Sequence, residues 1–275
     1  MKVKTKPSFA IDSFESYIST LKEKMNSLDD EFVYYYRGCC THDWEYNLTP
    51  GVYRYKHIQN EDRHFREMIL QTPNEFLNER TTLEKMVKMQ HYRLPTRLLD
   101  ITSNPLVALY FACSTYGSTP MNGKVYVLKI RRTDIKYYDS DAVSLVSNLA
   151  KLSIDKTNFM KKLTYLIHEV RDEKPQYIDT LKKENKIDIK RVFTVKAKLN
   201  NDRIIRQSGA FLLFGVGDLK SKEKAAILSR GSIEDEIIIG DWAKKEILTV
   251  LDALSINERT MFPELEYQAK YLDGI

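Results

Sequence analysis

Gln90 to Cys113, QHYRLPTRLLDITSNPLVALYFAC, begins with an imidazole, guanidiniums, a carboxylate and hydroxyls, then turns abruptly into an apolar run. Asn104-Pro105 marks the change as a helix start. A short polar side chain accepts an orphan amide there, and proline fits the first turn, where its missing N–H costs nothing. Leu106, Leu109, Tyr110 and Cys113 then fall on one inward-facing stripe. Polar groups are thus massed before the N-terminus of a buried helix, an end that suits a phosphate or carboxylate ligand.

Upstream, Glu31 to Arg37, EFVYYYR, is aromatic and β-branched enough for a strand. Val33, Tyr35 and Arg37 share one face, and Phe32, Tyr34 and Tyr36 the other. Arg37 ends the strand beside Gly38, where the backbone can turn. An arginine on an apolar face wants an anion, whether a ligand's or a structural carboxylate's. Ile11, Phe14, Ile18, Leu21 and Met25 predict a helix over 12–28, and Cys39 to Tyr55 reads as a loop with a turn at Thr49-Pro50-Gly51. Asn60 to Leu70 and Glu75 to Met89 read as helices. His57, Glu61 and His64 share a helical face, but solvated histidines explain that as well, and no metal is expected.

Downstream, Lys124 to Ile130 alternates as a strand, and Asp139 to Val170 supplies two helices. Lys174 to Lys190 is a polar connector or a surface helix. Arg191 to Ala197, Ala210 to Phe214 and Glu236 to Ile239 read as strands, and Ala243 to Leu254 and Glu264 to Leu272 as closing helices. Strands scattered among helices without strict alternation predict an α+β fold, a mixed or antiparallel sheet flanked by helices. The division expected is one domain over 1–275, with an N-terminal helix at 12–28, a motif-bearing core at 31–130, a helical insertion near 139–190, and strands and helices over 191–275.

At 275 residues and 43% hydrophobic the chain buries a substantial core, and its net charge of +5 is dispersed, giving only a slight preference for an anionic partner. Cys39, Cys40 and Cys113 form no CxxC pair, as expected in a reducing cytosol. No run approaches the roughly 18 apolar residues of a membrane span. The start MKVKTKPSFA lacks the apolar run of a signal peptide, so a cytoplasmic protein is expected, with no membrane partner.

Tyr36-Arg37-Gly38, Gln90-His91-Tyr92, the stretch from Leu94 to Asp100, Thr102, Asn104-Pro105 and the stretch from Ala108 to Ala112 resemble the opening motif and central block of the FRG domain family. Gln207-Ser208-Gly209-Ala210-Phe211 and Met261-Phe262-Pro263-Glu264-Leu265 resemble its later segments. Arg93 stands where the family usually has glycine, and Ile101 where it usually has an aromatic. The family occurs in bacteria and phages, and the resemblance implies a setting of toxins or phage defence.

A more distant resemblance joins three of these pieces to the ADP-ribosyltransferase fold. Tyr36-Arg37-Gly38 is similar to its arginine at the end of an early strand, Thr102-Ser103 to its hydroxyl step before an alanine- and phenylalanine-containing helix, and Gln207-Ser208-Gly209 to the motif before its late strand. That implies NAD as the ligand. Arg37 would lie on phosphate with Gly38 beside it, Thr102 and Ser103 would shape the nicotinamide-ribose pocket, and Gln207 would bind ribose. Gly209 occupies the place of that fold's catalytic glutamate, and Glu234-Asp235-Glu236 repeats the carboxylate spacing before another strand.

Two other readings stand beside it. His91 and Asp100 as proton-handling groups, with Arg97 on a phosphate, suit hydrolysis or transfer on a nucleotide or nucleic acid, unless they only pin a turn and cap a helix. A binding module for nucleic acid would stack bases on Tyr34, Tyr35, Tyr36, Tyr46, Tyr53 and Tyr55, with Arg54 and Lys56 on phosphate, although alternating tyrosines also suit a strand core. The macromolecular target of any transfer stays open. An NAD site requires Arg37, Asp100 and Gln207 to share one pocket.

Overall fold

In the computed structural model, described for residues 10–25, 30–40, 48–114, 121–153, 159–177, 189–218, 221–228 and 232–273, the tyrosine-rich stretch is a strand at the middle of the sheet. The strands are β1 (Phe32–Cys39), β2 (Leu98–Thr102), β3 (Gly123–Arg131), β4 (Ile135–Tyr137), β5 (Val192–Lys196), β6 (Gly209–Phe214), β7 (Val216–Asp218), β8 (Ser221–Ala225) and β9 (Ile233–Ile239). Seven of them form one sheet in the order β4-β5-β6-β2-β1-β3-β9, antiparallel except for the β4–β5 pair. β7 and β8 make a separate antiparallel pair. The helices are α1 (Phe14–Met25), α2 (Glu61–Gln71), α3 (Thr82–His91), α4 (Pro105–Cys113), α5 (Asp141–Asn148), α6 (Phe159–Glu173), α7 (Asp202–Arg206), α8 (Lys244–Ala253), α9 (Glu258–Met261) and α10 (Leu265–Asp273). The fold is α+β.

The alternation read in EFVYYYR holds. Tyr34 and Tyr36 pack with Tyr17 of α1, Ala108 and Ala112 of α4 and Ile247 of α8. Tyr35 packs on the opposite face with Leu99, Ile101, Leu212 and Leu128, under Leu48, Tyr53 and Ala225. All three tyrosines are buried and Tyr53 is half-buried on the Tyr35 face, so they form core rather than a platform for bases. Farther along the helical side, Leu98, Phe211 and Leu213 meet Met86 and Met89 of α3 and Val146 of α5.

Helix α4 starts where Asn104-Pro105 predicts, with Asn104 Oδ1 accepting from the Leu106 N–H at 2.9 Å. It is buried nearly all round rather than along one stripe, because Val107, Ala108 and Ala112 face the sheet. The close approach needs glycine beneath it. A Cβ on Gly38 would stand 1.8 Å from the Ala108 carbonyl oxygen, and one on Gly123 would stand 2.1 Å from that of Ala112. Gly38 is therefore not a turn. β1 runs through it to Cys39, and its missing side chain is what lets α4 sit down.

Other boundaries move for local reasons. The helix expected from Glu75 divides into a 3-10 turn at Pro73–Phe76 and α3, which starts late because Thr81 and Glu84 form a capping box around its first turn. At the far end of α3, Arg93 N–H bonds to the Gln90 carbonyl and Leu94 N–H to that of Met89, a Schellman cap with Arg93 at φ 65°. That left-handed backbone is one that glycine adopts without strain. β4, α7 and the β7–β8 pair are too short for periodicity to reveal. Residues 41–47 of the expected loop, with Tyr46, the end of the 12–28 helix, and 178–188 of the polar connector lie outside the described residues.

Candidate functional site at the parting of two strands

β2 pairs with β6 along its whole length but with β1 at one position, Tyr36 opposite Thr102. Thr102 in turn faces Gly209 of β6, so the three resembling motifs stand in one row across three adjacent strands. Beside that row a cavity of about 220 Å³ takes in residues of both β1 and β2, and Arg37, Gly38, Asp100, Thr102 and Gln207 line it together with His91. Its apolar wall includes Tyr36, Val107, Phe111, Ile204 and Phe211.

Arg37 is half-buried, and its Nη1 donates to the main-chain carbonyl of Asp100 at 2.6 Å. The guanidinium thus spans from β1 to β2 where the strands do not pair. The Asp100 side chain is exposed at the cavity and accepts from Gln90 Nε2 at 2.8 Å. Gln90 is itself oriented, because its Oε1 accepts from the Thr96 hydroxyl and Thr96 Oγ1 accepts from the Leu98 N–H at 3.1 Å.

Thr102 lines the cavity, yet its hydroxyl is engaged, donating to the Gln207 carbonyl at 2.6 Å and accepting from Asn104 N–H at 3.0 Å. This ties β2 to the turn before β6. Ser103 is exposed, outside the cavity wall, with its amide and hydroxyl turned to the Ser208 carbonyl, so it does not shape the pocket. The expected anion site at the start of α4 is also reduced, since the Asn104 and Leu106 amides already have side-chain acceptors. Gln207 Nε2 donates to the Met261 carbonyl at 3.0 Å, which couples the cavity to the closing segment.

His91 sits at the shared wall of this cavity and a neighbouring one, and both its ring nitrogens have partners. Asn201 Oδ1 caps α7 by accepting from Arg203 N–H at 2.8 Å, which turns its Nδ2 toward His91 Nδ1, 2.9 Å away. Nδ1 therefore accepts and Nε2 donates to Glu264 Oε1. Burial pushes the Glu264 carboxyl up, but its own backbone N–H, the His91 hydrogen bond and the Arg203 charge outweigh that and hold it below the usual carboxylate range. His91 braces the wall, joining α3 to the closing segment.

Arg97 corrects an expectation. It is fully buried outside the cavity, with Nε 2.8 Å from Glu61 Oε1, Nη2 2.5 Å from Glu61 Oε2, and Nη1 donating to the Phe214 carbonyl at 2.9 Å. Burial pulls its pKa down, but the charges and hydrogen bonds of Glu61 and Tyr53 more than reverse this and raise it. No ligand phosphate reaches it, so His91, Arg97 and Asp100 do not form one site. Glu61 is likewise taken, which removes it from the His57–His64 face. The repeated carboxylate spacing fails by location: β9 lies beyond β1 and β3, where Glu236 pairs with Lys124 at 2.5 Å and Asp235 with Lys24 at 2.8 Å. Asn201 and Arg203, on the cavity wall, were not singled out by sequence, and an asparagine before a five-residue helix was the available signal.

Among the described residues no group of histidine, cysteine, aspartate and glutamate is arranged to hold a metal, and no helix is long and apolar enough to cross a membrane. No curated protein and no solved structure matches the chain. A family model described as the FRG domain matches residues 33–119, which include β1, α2, α3, β2 and α4. Arg37, His91, Arg97 and Asp100 all lie within the matched segment.

Proposed function

We propose that the cavity binds the nicotinamide-ribose end of NAD and that the chain cleaves the bond between them, as an ADP-ribosyltransferase or NAD hydrolase does. The observation that carries this reading is the row Tyr36, Thr102, Gly209, which gathers Arg37, Asp100 and Gln207 around one concave site. The lining suits that ligand end: apolar and aromatic walls for a flat ring, a guanidinium for an adjacent phosphate, and amide and carboxylate groups for ribose hydroxyls. At about 220 Å³ it falls below the roughly 300 Å³ at which pockets for larger ligands begin, so it takes one ring and its sugar, with the rest of the dinucleotide outside.

The test is release of nicotinamide from NAD by the purified protein, with thermal shift on adding NAD as an independent readout. Arg37→Ala is expected to lower release about 100-fold, as loss of a group that positions a charged ligand does. Gln207→Ala is expected to weaken binding more than turnover. No release together with no thermal shift would reject the reading.

A further inference from the structure

We infer that Asp100 is the carboxylate that stabilises the positive charge developing on the ribose, in place of the glutamate absent at Gly209, and that Gln90 is the residue that positions it. The inference rests on the NAD reading above. Asp100 is the one carboxylate among the described residues that line the cavity. The pleat puts it on the required face: Asp100 and Thr102 are two apart on β2, and their partners on β6 are Phe211 and Gly209. Asp100 and Gly209 are thus diagonal neighbours, separated by roughly 7–8 Å between backbones, within reach of the same bound sugar.

The hydrogen-bond chain behind Asp100 has one direction. Leu98 N–H donates to Thr96, Thr96 donates to Gln90 Oε1, and that leaves Gln90 Nε2 to donate to Asp100 Oδ2. Asp100 is held as an acceptor, the state a charge-stabilising carboxylate needs, and Oδ1 makes no hydrogen bond among the described residues. The Arg37 contact to the Asp100 carbonyl fixes the backbone from the other side at 2.6 Å. In the reaction the glycosidic C–N bond breaks with its electron pair leaving on the nicotinamide nitrogen, which becomes neutral. A lone pair of water closes onto the ribose carbon, and the water's proton passes to solvent. NAD and water give ADP-ribose, nicotinamide and a proton.

The experiment compares wild type, Asp100→Asn, Gln90→Ala and Gln90→Glu for nicotinamide release and for NAD affinity by calorimetry, with circular dichroism as the check on folding. Asparagine keeps the shape and the acceptor for Gln90, so Asp100→Asn is expected to fold, to bind NAD within about 3-fold of wild type, and to lose about 100-fold in kcat. Gln90→Ala is expected to lose about 10-fold in kcat with KM unchanged. Gln90→Glu sets a second carboxylate beside Asp100 and moves the acid limb of the pH profile up by about one unit. Arg37 of β1, His91 of α3 and Arg203 of α7 line the same cavity and are unchanged in all variants. An active wild type whose Asp100→Asn variant keeps its kcat overturns the role of Asp100 and leaves the NAD reading standing. A wild type that neither binds nor cleaves NAD overturns both.

Discussion

Arg37 and Arg97 both lie in the segment that the family model matches, yet they sit in opposite environments. Arg97 is sealed in the interior, where Glu61 answers its charge in a bidentate pair and Tyr53 lies beside it, its ring centroid 6.0 Å from the guanidinium carbon. Arg37 is half-buried at a cavity and contacts a main-chain carbonyl through Nη1. A buried guanidinium without its carboxylate is strongly destabilising, whereas one at a cavity mouth keeps access to water. Residues of one motif can therefore divide between holding the fold and facing a ligand, and burial separates them.

The largest expected effect tests that division directly. Glu61→Ala leaves the Arg97 charge buried and unpaired and should cost about 3–5 kcal/mol in urea unfolding. Arg37→Ala loses a partly exposed hydrogen bond and should cost about 1 kcal/mol. Equal losses at the two sites would break the comparison.

Gly38 sharpens it on the side of β1. Gly38→Ala drives a methyl into the Ala108 carbonyl, 1.8 Å from the ideal Cβ position, and should cost about 3 kcal/mol with a visible shift of α4. Unchanged stability would mean that α4 does not rest on β1 as described.

The closing segment offers a smaller, pH-dependent test. The Glu264 carboxyl is held below its usual range, so it contributes stability that is present above the unfolded value of about 4.3 and is lost as pH falls through the lower folded value. The stability difference between wild type and Glu264→Gln should be largest near neutrality and shrink below about pH 4. A difference that grows on acidification would contradict the His91–Glu264 hydrogen bond.

Least of all, Arg93→Gly removes a left-handed side chain at φ 65° but also the 2.8 Å bond from Arg93 to the Tyr267 hydroxyl. Relief of roughly 1 kcal/mol of backbone strain should leave the melting temperature unchanged or slightly raised. A clear fall would show that the Tyr267 contact outweighs the strain.

Much of this was written locally in the chain. The start of α4, the faces of β1 and the need for a polar cluster near Gln90 follow from neighbouring residues, because capping, proline geometry and strand alternation act over a few positions. The short elements α7, β4, β7 and β8 were hidden for the same reason, having too few residues to show a period. The sequence by itself determined that Arg37, Asp100 and Gln207 are polar groups set among apolar neighbours. Only the tertiary structure decided which of them share a cavity, that Arg97 pairs with Glu61 thirty-six positions away, and that Glu236 is across the sheet from the site. Strand order and helix docking bring distant segments together through burial and register, and neither is encoded within the span of a single motif.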